Sequence, residues 1–294
     1  MKRCLIIIAS QQDEAAVAWH EMCLQIGRKS LFLTVESYNH GWTFQGSNSR
    51  CFIKSVDFGK IHLVDESICF YTRIPFNLPK NFFSLKVLND FLSLISYDHG
   101  GYFFRGAVEA NYNTKPLQFL LRGCFSYPFT LIGNVGLVKK KLRSDYITKS
   151  LSFTRSQVVE LSSPLLKKCE KVILNTPSQV QEKIVGYEEK IHFYKKRNGD
   201  WIFFPVRIDS DSCDYRYSDP NFSSSSCVDG EGLASFASYI FEHLGCRFFD
   251  IDIIVKEEKN FFLEINLAPV PTFFESKLIQ KNQFTQEVLM DWLS

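Results

Sequence analysis

The chain has 294 residues, 45% of them hydrophobic, with 34 Lys and Arg set against 32 Asp and Glu for a formal charge of +2. That length makes about two domains the prior, each large enough for its own core. Near-neutral charge gives no electrostatic reason to expect a nucleic acid or a membrane surface as partner, and no apolar run approaches the roughly 20 residues of a membrane-spanning helix.

Residues 1–9 open with Met1-Lys2-Arg3 and an apolar run that imitates a signal peptide. The run ends at Gln11-Gln12-Asp13-Glu14, too soon for the apolar region of such a peptide, so a buried first strand over 4–9 is the better reading. Helical spacing of Ala16, Val17, Trp19, His20, Cys23 and Leu24 predicts a helix over 13–26, with Gly27 at the C-cap. A second strand over 30–35 completes a βαβ opening, which implies parallel pairing and a right-handed crossover. The first turn has no glycine fingerprint and argues for no dinucleotide site. A strand follows over 68–73, ending at Arg73, which could point into a cleft although a surface role is the commoner one. Residues 85–96 look helical.

A boundary falls near 111–116. After it come a short helix over 117–124, a Pro-initiated strand over 127–132, a basic helix end over 138–143 and a strand over 145–149 that delivers Lys149 at its end. An extended segment over 180–184 ends at Gly186. Strands over 190–194 and 201–208 flank Asn198-Gly199, a pair suited to a tight hairpin turn. Residues 223–226, all serine, read as a mobile loop, and 233–244 as a helix closing at Gly245.

The last hairpin carries the chemistry. Two β-branched and aromatic runs, 248–255 and 261–266, flank a charged five-residue turn. Side chains alternate along a strand, so Glu264 and Asn266 share a face that Asp252 can join from the partner strand. Three hard oxygen donors in an otherwise apolar hairpin suit Mg²⁺, which keeps several waters and shares its coordination with phosphates. The bland alternative is a half-exposed hairpin whose polar residues face water.

Other residue types are uninformative. His20, His40, His62, His99, His192 and His243 show no ligand spacing, and the nine Cys form no C-x-x-C pair. They read as reduced, mostly buried thiols, with the cytoplasm as the expected compartment. Phe doublets such as Phe203-Phe204, Phe248-Phe249 and Phe261-Phe262 read as core packing; they could also feed a homodimer interface, a costlier explanation. Lys139-Lys140-Lys141 reads as a solvated face.

Read in order, residues 111–276 resemble the ATP-grasp superfamily. Asn113-Thr114-Lys115-Pro116 is similar to its helix start, Pro128-Phe129-Thr130 to its Pro-x-Thr strand, Ile147-Thr148-Lys149 to its strand lysine, Gln181-Glu182-Lys183-Ile184 to its hinge, and Asp252 with Glu264-Ile265-Asn266 to its metal hairpin. Within that superfamily, Ile208-Asp209-Ser210 followed by Asp214-Tyr215-Arg216 is similar to a segment of the graspetide (microviridin-type) peptide ligases, where Asp-Trp-Arg stands. Three departures are visible, the first being the loop after Lys149, Ser-Leu-Ser-Phe-Thr-Arg-Ser, which is short of glycine. Glu188-Glu189-Lys190 stands where that family has Asp-Ile-Arg, and Leu267-Ala268-Pro269 replaces its Asn-Pro-Asn-Gly continuation.

The resemblance implies an α/β protein with an ATP-grasp fold: two α+β subdomains, 111–185 and 186–294, hold ATP between them, preceded by a small pre-ATP-grasp α/β domain over 1–110. It implies Lys115 and Lys149 on the phosphates, Gln181, Glu182, Lys183 and Ile184 at adenine, and Glu189 (or its neighbour Glu188) on the ribose. Mg²⁺ falls to Asp252, Glu264 and Asn266, the catalytic roles to Arg207 and Lys190, and a peptide substrate to Asp214 and Arg216. The implied activity is an ATP- and Mg-dependent carboxylate ligase that crosslinks side chains of a ribosomal precursor peptide. A ligase joining a small amino acid to a peptide, and a nucleotide-binding protein without turnover, are the competing readings.

Overall fold

The computed structural model describes residues 3–47, 50–62, 68–74, 85, 87–88, 103–104, 125–134, 145–150, 158–164, 177–225, 230–257, 259–267, 269–278 and 283–294. The first unit is the expected βαβ. Strand β1 (Cys4–Ala9) is buried along almost its whole length, which is why it reads as an unbroken apolar run and not as an alternation. Helix α1 (Glu14–Gln25) starts at Asp13, whose carboxylate accepts from the Ala16 N–H at 3.1 Å, and stops at Gly27 with φ +69°. Strand β2 (Ser30–Thr34) pairs parallel to β1, and a 3₁₀ turn takes over at Val35.

A three-stranded antiparallel sheet that the sequence pattern does not announce follows: β3 (Trp42–Ser47), β4 (Arg50–Ser55) and β5 (Gly59–His62). Strand β6 (Ile68–Arg73) then returns beside β1, and β7 (Phe103–Phe104) extends a parallel sheet of order β2-β1-β6-β7. Arg73 is engaged within the first unit. Its Nε donates to Asp13 at 2.7 Å, tying the end of β6 to the start of α1.

The third sheet runs β10-β9-β11-β8, all antiparallel, from β8 (Thr130–Asn134), β9 (Tyr146–Ser150), β10 (Val159–Glu160) and β11 (Pro177–Glu182). Pro128 precedes β8 instead of opening it, and β11 begins three residues earlier than its apolar content suggests, because Ser178 and Gln179 are buried polar residues.

The fourth sheet, ordered β14-β13-β12-β15-β16, holds the chemistry. Its strands are β12 (Tyr187–Lys195), β13 (Trp201–Asp209), β14 (Asn221–Ser224), β15 (Phe248–Lys256) and β16 (Lys259–Asn266), with α2 (Gly230–Leu244) between β14 and β15. Two sequence expectations are corrected here. Ser223 and Ser224 are not loop; they pair with Arg207 and Val206 as an edge strand, where short polar strands are common. The β15–β16 turn is tighter than five residues, since Lys256 pairs with Lys259 and Glu257 takes φ +55°. At the entrance to β12, Gly186 is required by close approach: a Cβ there would lie 2.3 Å from the Val255 carbonyl oxygen.

Each face of the fourth sheet meets a different layer. One packs on α2 through Ile191, Phe193, Phe249, Ile251 and Ile253 against Leu233, Phe236 and Ile240. The other, through Tyr194, Phe204, Val206 and Phe248, shares a core with Leu5, Ile7, Trp19 and Tyr71 of the first unit. Helices α3 (Pro271–Glu275) and α4 (Gln283–Trp292) close this core with Phe274, Val288 and Trp292. Trp19 stacks on Tyr71 with ring centroids 4.7 Å apart and meets Trp292 edge-on at 6.3 Å.

Asp291 clamps α4 to the β12–β13 hairpin, accepting from the Tyr194 hydroxyl at 2.7 Å and the Arg197 N–H at 3.2 Å. Asp291→Ala is expected to cost about 1–3 kcal/mol in denaturant unfolding, because it removes the acceptor of the buried Tyr194 hydroxyl. An unchanged denaturation midpoint would show that the clamp contributes nothing. Leu85, Val87 and Leu88 are helical, as expected; the helix over 117–124 and Lys139-Lys140-Lys141 lie outside the described residues.

Candidate active site

Strand register decides which residues can meet. Residues directly opposite in an antiparallel pair project to the same side. Lys190 lies opposite Asp252, and His192 opposite Asp250; across β15–β16, Asp252 lies opposite Glu264 and Asp250 opposite Asn266. Glu188, two residues from Lys190, projects the same way. One sheet face therefore gathers Glu188, Lys190, His192, Asp250, Asp252, Glu264 and Asn266.

Lys190 is the hub. Its ammonium is buried, donates to Asp250 Oδ1 at 2.9 Å and pairs with Asp252 Oδ1. Asn266 donates its amide to the other oxygen of Asp250 at 3.3 Å, and His192 Nδ1 lies 3.5 Å from that same oxygen. Burial lowers the imidazole pKa well below its usual value, with Lys190 adding to the effect. Loss of hydration is the largest cause raising the pKa of Asp250, Asp252 and Glu188, opposed by Lys190 and reinforced by their mutual repulsion.

Lys149 arrives from the other sheet. Carried on β9 and buried, it reaches Glu264 Oε2 at 3.2 Å and so bridges the third and fourth sheets. The cluster holds four carboxylates, Glu188, Asp250, Asp252 and Glu264, against the ammonium groups of Lys149 and Lys190. Fully ionised it would carry an excess of two negative charges. Among the described residues, no three His, Cys, Asp or Glu groups stand ready-made around one metal point; lysines occupy the carboxylates. The donor set nevertheless suits a hard divalent cation: the Asp252 and Glu264 carboxylates and the Asn266 amide are oxygen donors on one face, and the charge excess matches. Glu264 is more open than Asp250 and Asp252, its side chain 34% exposed against 2% and 12%.

Asp214 and Arg216 adjoin this cluster. Arg216 grips Asp214 as a fork, Nε to Oδ1 at 2.7 Å and a terminal nitrogen to Oδ2 at 2.6 Å. Asp214 also accepts the Val158 N–H at 3.1 Å and begins the 3₁₀ turn Tyr215–Tyr217. It therefore orients Arg216 rather than offering its own carboxylate to a ligand. Glu264 is close enough to Arg216 to help hold its charge, and the Tyr215 ring sits within the field of Lys190 and Asp252, with burial raising its hydroxyl pKa.

The structure corrects two assignments by one strand position. Glu189 and Arg207 lie opposite each other, on the side facing α2, away from Lys190 and Asp252. Arg207 forks onto Asp209 at 2.8–3.0 Å and lies 4.1 Å over the Tyr187 ring. Glu189 is fully buried on that side, where the Ser225 hydroxyl and Arg207 lower a carboxyl pKa that burial raises more. Glu188, the alternative ribose candidate, is the one that faces the cluster. Asp250 went unread although it sits two residues from Asp252, a spacing that puts both on one face.

At the hinge, Gln181 is buried and donates to Thr130 Oγ1 at 3.2 Å. The N–H groups of Glu182 and Lys183 are committed to the carbonyls of Phe129 at 2.8 Å and Asp145 at 2.9 Å. The backbone N–H groups of these two residues are therefore already paired. The Glu182 carboxylate accepts from Phe129, Lys183 pairs with Glu160, and Ile184 follows half-buried. Lys115 lies outside the described residues.

No protein-family model matches the chain, and no curated protein sequence matches it. Solved structures do. ATP-grasp ligase PsnB, complexed with a phosphomimetic variant of a minimal precursor, Mg and ADP, superposes with a TM-score of 0.72 at 15% identity, over 100% of both chains. Macrocyclase MdnC from Microcystis aeruginosa, bound with precursor peptide MdnA, gives 0.71 at 18% identity over 99% of both. D-alanyl-alanine synthetase A from Vibrio cholerae gives 0.64 at 13% over 100% of both. The fold of the chain is the ATP-grasp fold, spanning its whole length.

Proposed function

We propose that the chain is an ATP- and Mg-dependent carboxylate ligase that condenses side chains within a peptide. The observation that carries this reading is the Lys149–Glu264 contact, which brings a buried cation of one sheet against the carboxylate face of another. A carboxylate does not condense with an amine or hydroxyl unaided, because its leaving group is poor. Transfer of the ATP γ-phosphoryl group gives an acyl phosphate, from which the nucleophile displaces phosphate to form an ester or amide. Such chemistry asks the protein mainly to position groups and offset charge.

ATP lies between 111–185 and 186–294. Lys149 serves the phosphates, while Asp252, Glu264 and Asn266 hold Mg²⁺, which when bound neutralises phosphate charge and orients the transferred group. Lys190, on the same face, balances the carboxylates and is placed to neutralise the transferred phosphoryl group. Arg216, oriented by Asp214, takes a substrate carboxylate at the edge of the cluster. PsnB and MdnC are structures bound to precursor peptides, which supports a peptide as substrate here. The free cysteines among the described residues suit a reducing cytoplasm, and no described helix is long and apolar enough to cross a membrane.

Mass spectrometry of candidate acidic peptides carrying Ser, Thr or Lys tests the proposal. A loss of about 18 Da per ring, with ADP released, is expected, since each condensation removes water. The likeness to a D-alanyl-alanine synthetase supports a second reading, joining of a small amino acid, which would appear as a mass gain. Unchanged peptide mass with no ADP formed would overturn both. Arg216→Ala is expected to weaken peptide by about 10–150-fold, the worth of one charge-assisted hydrogen bond, while ATP affinity stays intact. Equal peptide KM in the variant would remove Arg216 from the peptide site.

A further inference from the structure

The side-chain amide of Gln179 has no work in the fold. It is completely buried in the middle of β11, and among the described residues neither its nitrogen nor its oxygen meets a hydrogen-bond partner. A buried amide left unpaired on both atoms is costly, so a native fold that keeps one raises the question of what completes it. Gln179 lies opposite Lys149 on β9, and two residues from Gln181 on its own strand. All three side chains project to the face on which Lys149 meets Glu264.

Gln181 adds polarity to this row. Thr130 donates its hydroxyl proton to the Pro128 carbonyl at 2.9 Å, so its oxygen must accept from Gln181, which it does at 3.2 Å. That chain fixes the Gln181 amide with its nitrogen toward Thr130. Its oxygen, buried and without a partner among the described residues, is then an acceptor on the same face. Beside it, Gln179 supplies one donor and one acceptor.

We infer that Gln179 reads the nucleobase of the bound triphosphate, pairing as a donor–acceptor amide with a 6-aminopurine edge, while the pinned Gln181 oxygen accepts from the 6-amino group. The inference rests on the nucleotide reading of this site and adds its base selectivity. An amide matches adenine with two parallel hydrogen bonds, one donated to a ring nitrogen and one accepted from the amino group. Guanine places a carbonyl oxygen at the same position, against the Gln181 acceptor. A site built from buried polar groups rejects a ligand that leaves them unpaired more strongly than an apolar pocket does.

The experiment is calorimetric titration of the full chain with ATP, GTP and a purine nucleoside triphosphate lacking the 6-amino group. Wild type is expected to prefer ATP over both others. Gln179→Leu, which removes the amide at similar volume, is expected to weaken ATP by about 10-fold or more and to shrink the preference by the same factor. Affinity for inorganic tripolyphosphate should be unchanged, and the thermal midpoint without nucleotide equal to or above that of wild type. Gln179→Met is the second variant, should the first fail to fold. A lowered midpoint with the wild-type ATP-to-GTP ratio in either variant would make Gln179 structural and overturn the inference. Wild type binding all three triphosphates equally would overturn it and leave nucleotide binding standing; wild type binding none would overturn both.

Discussion

Lys190→Met is expected to abolish ATP turnover and to lower the unfolding free energy by about 3–5 kcal/mol, the cost of stranding one side of a buried ion pair. Lys190 is the cation between Asp250 and Asp252, and all three are buried. Without it the two carboxylates repel each other where hydration cannot relieve them. One must take up a proton, or the sheet must open to water. Adding Asp250→Asn removes one of the competing charges, so the double variant should recover much of the stability and none of the turnover. Chemical denaturation of both variants, alongside ADP release, checks this. A single variant as stable as wild type would show that the carboxylates do not depend on Lys190, and turnover returning in the double variant would remove it from the chemistry.

Glu264→Gln should reduce ATP turnover by at least ~10²-fold, within the range that charge-stabilising groups contribute to catalysis. The substitution keeps shape and removes one negative charge from a partly exposed carboxylate of the cluster. It also frees Lys149, which pairs with that carboxylate. Folding should survive with a loss of about 1–3 kcal/mol, because the buried Lys149 keeps an amide oxygen in place of its carboxylate partner. Arg207→Ala, on the opposite face, serves as the contrast and should turn over near the wild-type rate. Near-normal turnover in Glu264→Gln would mean that the β15–β16 hairpin is not where the metal binds; loss in Arg207→Ala would mean that the register argument fails.

Periodicity carried most of the architecture. Strands β1, β6, β12, β13, β15 and β16 and helices α1 and α2 are visible in the chain because each has one or two buried faces; α1 also starts at a capping aspartate, and both helices close at a glycine of positive φ. The edge strand Asn221–Ser224 is not visible: serine has low strand propensity, and only pairing with β13 makes it extended. Ser178 and Gln179 hid the start of β11 because polar residues do not advertise burial. The β15–β16 turn was misjudged by length, since charged residues around a tight turn look like a longer loop.

Side-chain direction was harder to read than position. The Glu188-Glu189-Lys190 run offers a carboxylate on each face of the sheet, and only the register with β15 decides which one meets Asp252. The same alternation carries Arg207 to the wrong side by a single residue, whereas Asp250 could have been placed beside Asp252 by counting. The Lys149–Glu264 bridge joins strands more than a hundred residues apart, and no local pattern encodes it.

The shared core of the first unit and the fourth sheet sets an order of events on the ribosome. Trp19 and Tyr71 emerge early, but Phe248, Val288 and Trp292, which cover them, are synthesised up to about 270 residues later. At roughly 5–20 residues per second, the apolar side of the N-terminal sheet waits on the order of 10–50 s for its cover. A nascent chain of this kind is exposed to aggregation for most of its translation. Slowing synthesis after residue 73 should therefore lower the yield of folded protein, and supplying a chaperone that shields apolar surface should restore it.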